Sequence, residues 1–247
     1  MLKRLLRWGI IALITLSLFT WAFSHGLFIW TIDWDNPTPF MEGDVNKIEY
    51  VDGNLVANLE QYRIDYLALE DMPEHLVNAF VAVEDHRFYQ HRGIDLLSLG
   101  RALLANFHMG DITQGGSTIT QQLARNIFLN LDQTMTRKIA EMSIALQLER
   151  RYDKDEILEM YINQANYGAG NWGVAQAADA YFDKDVGELS IGEAALLAGL
   201  VQAPNAYAPV NSWELAVTRQ RHVLGRMANL GYITQEQALA EVYQPDN

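Results

Sequence analysis

Three short segments of the chain carry the side chains that could do chemistry. The first is Glu84-Asp85, which ends an apolar run and is followed by basic residues. A carboxylate at a helix C-terminus faces the negative end of the helix dipole, which favours its protonated form and suits a general base near neutral pH. A surface salt bridge from this carboxylate to Arg87 or Arg92 is the alternative interpretation and the commoner outcome for such residues.

The second segment runs from Gln114 to Gln122 and reads QGGSTITQQ. Two glycines lead into a predicted helix whose first turn has free backbone N–H groups, and hydroxyl and amide side chains follow directly. Such a helix start can hold phosphate or sugar oxygens. An ordinary helix cap, for which Ser and Thr are good residues, is the alternative.

The third segment is Arg137-Lys138-x-x-Glu141. Lys138 and Glu141 are three residues apart, so a helix places them on one face. A solvated ion pair is the commoner outcome. The functional interpretation is a cation for a phosphate leaving group, beside a second carboxylate.

The elements that must position these segments are predicted to be mainly helical. Pro73 can begin a helix that reaches Glu84, and Asp95 can cap the next helix. Residues 136–151 have apolar side chains at helical spacing. Asp52-Gly53 is a turn signal between two short strands. Capping-box spacing marks three further helix starts, at Asp153 with Glu156, Ser190 with Glu193, and Thr234 with Gln237.

An apolar segment over residues 8–30 precedes this helical region. It has no charged side chain over 23 residues, and about 20 apolar residues cross a bilayer as a helix. Three basic residues lie before it, which predicts a cytoplasmic stub over residues 1–7 and an exported domain. We therefore expect a transmembrane helix over 8–30, a linker over 31–44 and one domain over 45–247. A cleaved signal peptide is the alternative.

The composition excludes several classes of protein. The chain has 247 residues, a net charge of −13, no cysteine and 49% hydrophobic residues. It is too apolar for a disordered chain, it cannot hold disulfides or Cys-ligated metals, and it lacks the basic surface of a nucleic-acid-binding protein. Motifs for a phosphate-binding loop, a serine nucleophile or a zinc protease are missing from the sequence, so we expect no organic cofactor.

Five ordered motifs together resemble the peptidoglycan glycosyltransferase family, the family 51 transglycosylases. The resemblance covers about residues 45 to 240. The matching stretches are EDHRFYQHRGID (84–95), QGGSTITQQLARN (114–126), RKIAEMSIALQLE (137–149), KDEILEMYINQANYGAGNWGVAQAADAYF (154–182) and LSIGEAALLAGLVQAPNAYAP (189–209).

The resemblance implies a lysozyme-like helical fold with a small membrane-proximal lobe. It also implies an enzyme that polymerises lipid II into glycan strands, inverting the MurNAc anomeric carbon and releasing undecaprenyl diphosphate. Glu84 matches the catalytic general base, and Glu141 matches the second catalytic glutamate, proposed to assist near the leaving group. The residues implied to bind substrate are Asp85, Phe88, His91, Ser117, Gln121, Gln122, Arg125, Arg137 and Lys138.

Other properties follow from the same resemblance. A divalent cation, Mg²⁺ or Mn²⁺, often supports the leaving diphosphate in the family, although the residues that would bind it are unknown. The expected partners are lipid II, the growing glycan chain, the membrane and other cell-wall synthesis proteins. The expected location is the plasma (inner) membrane, with a cytoplasmic N-terminus and a periplasmic or extracellular catalytic domain.

Two departures from the family pattern keep other functions open. Arg125 stands where the family usually has lysine, and Gln133 stands where it usually has arginine. A non-catalytic scaffold that binds lipid II, and a lysozyme-like enzyme that cleaves glycan, are the alternatives. We expect a monofunctional glycosyltransferase, with a fragment of a longer bifunctional protein as the alternative.

Overall fold

The computed structural model describes residues 17, 47–51, 54–58, 66–101, 116–128 and 135–242. The predicted transmembrane helix lies outside these ranges except for Ser17, which is helical, and the predicted linker over 31–44 also lies outside them. Among the helices of the described ranges, none is both long and apolar enough to cross a bilayer.

The described part of the chain is mainly helical, as predicted. A hairpin of β1 (Lys47–Val51) and β2 (Asn54–Asn58) comes first, with Val51 paired to Asn54 across the predicted turn. A second small sheet joins β3 (Asn166–Gly168) to β4 (Asn171–Trp172). The helices are α1 (Glu74–Glu84), α2 (Ile119–Phe128), α3 (Met135–Arg151), α4 (Lys154–Gln164), α5 (Val174–Phe182), α6 (Ile191–Leu200), α7 (Pro204–Tyr207), α8 (Trp213–Asn229) and α9 (Gln235–Ala240). Residues 96–101 are also helical.

The predicted helix starts are confirmed by their caps. Asp153, Ser190 and Thr234 each accept a hydrogen bond from the backbone N–H three residues on, and the side chain at that position returns one. Asp95 accepts the backbone N–H groups of Leu97 and Ser98 at 3.0 and 3.1 Å. These local bonds satisfy donors that a helix start otherwise leaves unpaired.

The core lies around α6, which is buried from Gly192 to Leu200. A helix that is apolar on all sides is stable in water only when other elements surround it. Helices α1 and α8 pack against α6, and α8 also packs against α1. On the other side of the fold, α2 packs against both α3 and α4.

An aromatic cluster links α1 to α4 and to the strand that follows α4. The ring of Phe80 meets the rings of Tyr161 and Tyr167 edge-on, with centroids 6.1 and 6.2 Å apart, and all three side chains are fully buried. Edge-to-face pairs add to the stability that burial provides. The cluster holds α1 so that its C-terminus reaches the start of α2.

Candidate active site

A cleft of about 650 Å³ opens at the C-terminus of α1. One wall is formed by the end of α1 and the residues that follow it, a second by the segment before α2, and a third by one face of α8. Among the residues that line the cleft are Glu84, Asp85, His86, Asp95, Ser98, Arg101, Ser117, Thr118, Gln202, Arg219, His222 and Arg226.

Glu84 is the last residue of α1 and lines this cleft. Its Oε2 atom accepts a hydrogen bond of 2.8 Å from Nε2 of Gln122. Its Oε1 atom is buried, has no hydrogen-bond partner, and lies 3.9 Å from Nη2 of Arg219. The alternative interpretation of Glu84, a surface salt bridge to Arg87 or Arg92, is wrong for Arg87. That residue pairs instead with Asp95 at 3.3 Å.

Burial raises the pKa of Glu84 above its ordinary value. The hydrogen bond from Gln122 and the charges of Arg219 and Arg125 act in the opposite direction, and the charge of Asp85 raises the pKa further. The predicted direction is therefore correct, but its main cause is removal from water rather than the helix dipole. A carboxylate with a raised pKa binds a proton more readily near neutral pH.

Asp85 and His91 form a buried pair behind Glu84. The Nε2 atom of His91 lies 2.9 Å from Oδ2 of Asp85, and that oxygen also accepts the backbone N–H of Ile119 at 3.2 Å. Asp85 lines the cleft. The pair ties the loop after α1 to the first turn of α2, which carries Gln122.

The start of α2 is capped by Thr118. Its hydroxyl accepts the backbone N–H of Gln121 at 3.1 Å and donates to the carbonyl of Gly93 at 2.6 Å. The amide oxygen of Gln121 accepts the backbone N–H of Thr118 at 3.3 Å, and Gln121 is buried. The helix-cap interpretation therefore holds for Thr118 and Gln121, and both Ser117 and Thr118 line the cleft.

Lys138 joins the second and third predicted segments. Its ammonium group donates to the hydroxyl of Ser117 at 2.8 Å, to the amide oxygen of Gln121 at 3.3 Å, and to Glu141 Oε2 at 2.8 Å. Arg137 binds the other oxygen of Glu141 at 2.8 Å. The shared helix face of Lys138 and Glu141 is confirmed.

The carboxylate of the third segment is buried, although the side chain of Lys138 is 35% exposed. Glu141 is only 1% exposed and lies between Arg137 and Lys138. A buried carboxylate with two cationic partners keeps both cations in fixed positions. The commoner interpretation of this segment, an exposed pair, is therefore wrong for Glu141.

Of the predicted site residues, only Glu84, Asp85 and Ser117 line the cleft. Phe88 and Arg125 lie outside it, as do His91, Gln121, Gln122, Arg137, Lys138 and Glu141. Phe88 is fully buried, and the ammonium group of Lys154 lies 4.2 Å from the centre of its ring. Its complete burial leaves no surface of Phe88 for a substrate. Arg125 lies on α2 near enough for its charge to lower the pKa of Glu84.

Arg219, His222 and Arg226 are functional candidates that the sequence analysis missed. They lie at positions i, i+3 and i+7 of α8, which places them on one face. Burial and the charges of the two arginines lower the pKa of His222. The three arginines of the cleft, Arg101, Arg219 and Arg226, give it a cationic lining in a chain of net charge −13. Helical spacing could have grouped them, but it could not show which element they face.

Two carboxylates at the predicted site, those of Glu141 and Asp85, already have partners. Within the described ranges, no three or more His, Asp, Glu or Cys side chains come together as a metal site. Glu141 is held by two cations, and Asp85 is held by His91 and a backbone N–H group.

Comparison with known proteins identifies the family. The family model described as transglycosylase matches residues 52–228. Penicillin-binding protein 1A of Aquifex aeolicus is 47% identical over 193 residues, which cover 78% of this chain and 27% of that protein. Penicillin-binding protein 1A of Escherichia coli is 44% identical over 191 residues, 77% of this chain and 22% of that protein.

A solved structure is also similar. The crystal structure of penicillin-binding protein 1A from Haemophilus influenzae has a TM-score of 0.46 and 26% identity, and the match covers 78% of this chain and 19% of that one. The chain spans about a quarter of the length of the curated relatives that it matches. Because the family model covers most of the sequence, the chain belongs to the transglycosylase family, the peptidoglycan glycosyltransferases that its five motifs resemble.

Proposed function

We propose that this chain polymerises lipid II into glycan strands. The 4-hydroxyl oxygen of the acceptor GlcNAc attacks the anomeric carbon of the donor MurNAc and forms the new glycosidic bond. The bond from that carbon to the lipid diphosphate breaks, and its electron pair leaves with the diphosphate oxygen. Attack from the opposite side inverts the anomeric carbon, and the hydroxyl proton passes to Glu84.

The observation that carries this proposal is the asymmetric environment of Glu84. One carboxylate oxygen is occupied by Gln122, whereas the other has no hydrogen-bond partner and lies beside Arg219, which lines the same cleft. A buried acceptor without a partner is costly and calls for an explanation. We assign Oε1 as the atom that receives the proton, because Oε2 is already engaged.

The cations supply the second requirement of the reaction. A diphosphate leaving group needs charge stabilisation more than a strong acid. Donor and acceptor both carry a lipid-linked diphosphate, and the fold offers two sets of cations. We propose that Lys138 and Arg137, beside Ser117, serve the leaving diphosphate, and that Arg219 and Arg226 hold the diphosphate of the acceptor.

Glu141 has a different role in this proposal from Glu84. It is nearly fully buried and both of its oxygens bind cations. We therefore propose that it positions Arg137 and Lys138 and does not itself contact the sugar. Asp85 and His91 similarly position the start of α2 through the backbone N–H of Ile119.

The substrates also suggest where the chain works. Lipid II and the growing glycan are both anchored in a membrane by their lipids. We propose that residues 8–30 anchor the chain in the inner membrane, with the domain outside the cytoplasm and other cell-wall synthesis proteins as partners. An enzyme that cleaves finished glycan has no need for two cation sets, which favours the synthase.

The test uses the full chain in detergent with labelled lipid II and either Mg²⁺ or Mn²⁺, and products are separated on a gel. We expect a ladder of glycan polymer from the wild type and none from Glu84→Gln. Glu188→Gln, at an exposed glutamate of the 3₁₀ turn Val186–Glu188, is the matched control and keeps the ladder. Lipid II binding without polymer by a folded wild type would support the scaffold, and cleavage of finished glycan would support the lytic enzyme.

A further inference from the structure

Tyr161 lies directly behind the proposed base, outside the cleft. It is on α4 and fully buried. Its hydroxyl donates a hydrogen bond of 3.1 Å to the amide oxygen of Gln122, whose NH₂ group donates to Glu84 at 2.8 Å. Two hydrogen bonds therefore connect a core tyrosine to the carboxylate at the cleft.

We propose that Tyr161 is a positioning residue that fixes the orientation of the Gln122 side-chain amide, so that its NH₂ group and not its oxygen faces Glu84. The inference rests on the proposed role of Glu84 as the base. Tyr161 does not touch Glu84, so it acts only through Gln122.

The chemistry of the amide explains why an orienting group is needed. The two ends of a glutamine amide have almost the same shape, but one donates and the other accepts hydrogen bonds. A carboxylate can only accept, so it requires the NH₂ end. The phenol hydroxyl of Tyr161 donates to the oxygen end. In the reverse orientation of the amide, both this hydrogen bond and the one to Glu84 would be lost.

The position of the Tyr161 hydroxyl is itself fixed by packing. Its ring meets Phe80 edge-on at 6.1 Å, and Phe80 is on α1, which ends at Glu84. Burial holds the pKa of Tyr161 well above its usual range, and the charge of Glu84 raises it further. The hydroxyl therefore stays protonated, and a donor, over the working pH range of the enzyme.

Loss of this hydroxyl has a predictable effect on Glu84. The ionisable groups that act on Glu84 are Asp85, Arg125 on α2 and Arg219 on α8, and Tyr161 faces it through Gln122. Burial raises the pKa of Glu84, and the hydrogen bond from Gln122 lowers it. If the amide turns round, its oxygen accepts a bond only from the protonated carboxyl group, so the pKa of Glu84 rises.

The chain provides a closely matched control. Tyr167 is also fully buried and also meets Phe80 edge-on, at 6.2 Å, but its hydroxyl donates to the backbone carbonyl of Ile162 at 2.9 Å. Tyr161→Phe and Tyr167→Phe each remove one buried hydroxyl from the same aromatic cluster. Only Tyr161→Phe removes the hydroxyl that donates to the amide oxygen of Gln122.

The experiment measures the ionisation of Glu84 directly. The full chain in detergent is labelled with ¹³C at the glutamate side-chain carboxyl, and the Glu84 signal is identified by its loss in Glu84→Gln. We expect its titration midpoint to move to higher pH in Tyr161→Phe and to stay at the wild-type value in Tyr167→Phe. An unchanged midpoint in folded Tyr161→Phe, or equal shifts in both variants, overturns the proposal.

Two further arms separate this inference from the proposed function. In a Gln122→Leu background, Tyr161→Phe is expected to cause no additional shift, and an additional shift overturns the proposal. In the polymerisation assay, kcat near neutral pH falls roughly fivefold to tenfold in Tyr161→Phe, as for one lost buried hydrogen bond, with KM almost unchanged. If the wild type makes no polymer but the titration shifts as expected, the glycosyltransferase proposal fails and the positioning role stands.

Discussion

The side-chain amide of Gln122 donates a 2.8 Å hydrogen bond to Oε2 of Glu84 and leaves Oε1 of the same carboxylate without a hydrogen-bond partner. The two oxygens of Glu84 are therefore inequivalent before any substrate binds. Gln122 restrains the carboxylate and favours its charged form, while burial favours its protonated form. The balance between these effects makes the base sensitive to each of its neighbours.

Glu84→Gln is expected to stabilise the fold at neutral pH while abolishing polymerisation. The pKa of Glu84 is higher in the folded chain than its ordinary value of 4.5, so the folded state binds the proton more tightly than the unfolded state. Raising the pH above about 4.5 therefore lowers the free energy of unfolding until the folded-state pKa is passed. Glutamine removes this loss.

Thermal unfolding of wild type and Glu84→Gln across pH checks this expectation. The Tm of the variant should exceed that of the wild type at pH 7 to 8, and the gap should close as the pH falls towards 4. A constant gap at all pH values would show that titration of Glu84 is not its cause.

Arg219→Gln is expected to weaken the enzyme in two distinguishable ways. The variant loses a charged contact of the cleft, which should raise the KM for lipid II by roughly tenfold to a hundredfold. It also loses a charge that lowers the pKa of Glu84, so the acid limb of the kcat profile should move to higher pH.

Steady-state kinetics across pH separate the two effects. Arg221→Gln is the matched control, because Arg221 is on the same helix but is exposed. We expect its KM and its acid limb to remain at wild-type values. Equal effects of both substitutions would indicate a general loss of positive charge on α8.

Asp85→Asn is expected to move the acid limb in the opposite direction. The charge of Asp85 raises the pKa of Glu84, so neutralising it should shift the limb to lower pH. Asparagine also disturbs the oxygen that binds both His91 and the backbone N–H of Ile119. We expect the free energy of unfolding to fall by about 1 to 3 kcal/mol. Urea unfolding and a pH profile of kcat measure the two effects, and a limb that moves upward contradicts the assigned sign.

Glu141→Gln is expected to impair both stability and donor binding. The buried carboxylate holds Arg137 and Lys138, so its neutralisation removes a charged contact from each of these cations. Because Lys138 is 35% exposed and has other hydrogen-bond partners, we expect the free energy of unfolding to fall by about 1 to 3 kcal/mol. Lys138 is also expected to lose its fixed position beside Ser117, which should raise KM for lipid II.

A second buried glutamate that binds a partly exposed lysine provides the control for Glu141. Glu193 binds Lys184 at 2.8 Å and is also buried, but it belongs to the capping box of α6. Glu193→Gln should lower the Tm without a specific rise in KM once both variants are assayed below their melting range. A rise in KM in both would assign the effect of Glu141→Gln to loss of stability alone.

The sequence by itself predicted the local structure and one of the local contacts at the site. The helix starts at Asp153, Ser190 and Thr234, and the shared face of Lys138 and Glu141, depend on residues three positions apart. Contacts over one helical turn are determined by backbone geometry, whatever the rest of the fold does. The resemblance of five ordered motifs indicated the family in the same way, without any knowledge of packing.

Only the tertiary structure decided what surrounds Glu84. Gln122 is 38 residues away from Glu84 along the chain, and Arg219 belongs to α8, much later in the sequence. The same packing buries Phe88 and Glu141 and places Tyr161 behind the amide. These relationships depend on which faces of α1, α2, α4 and α8 meet in the core. Periodicity shows that a helix has an apolar face, but it does not specify the face that will cover it.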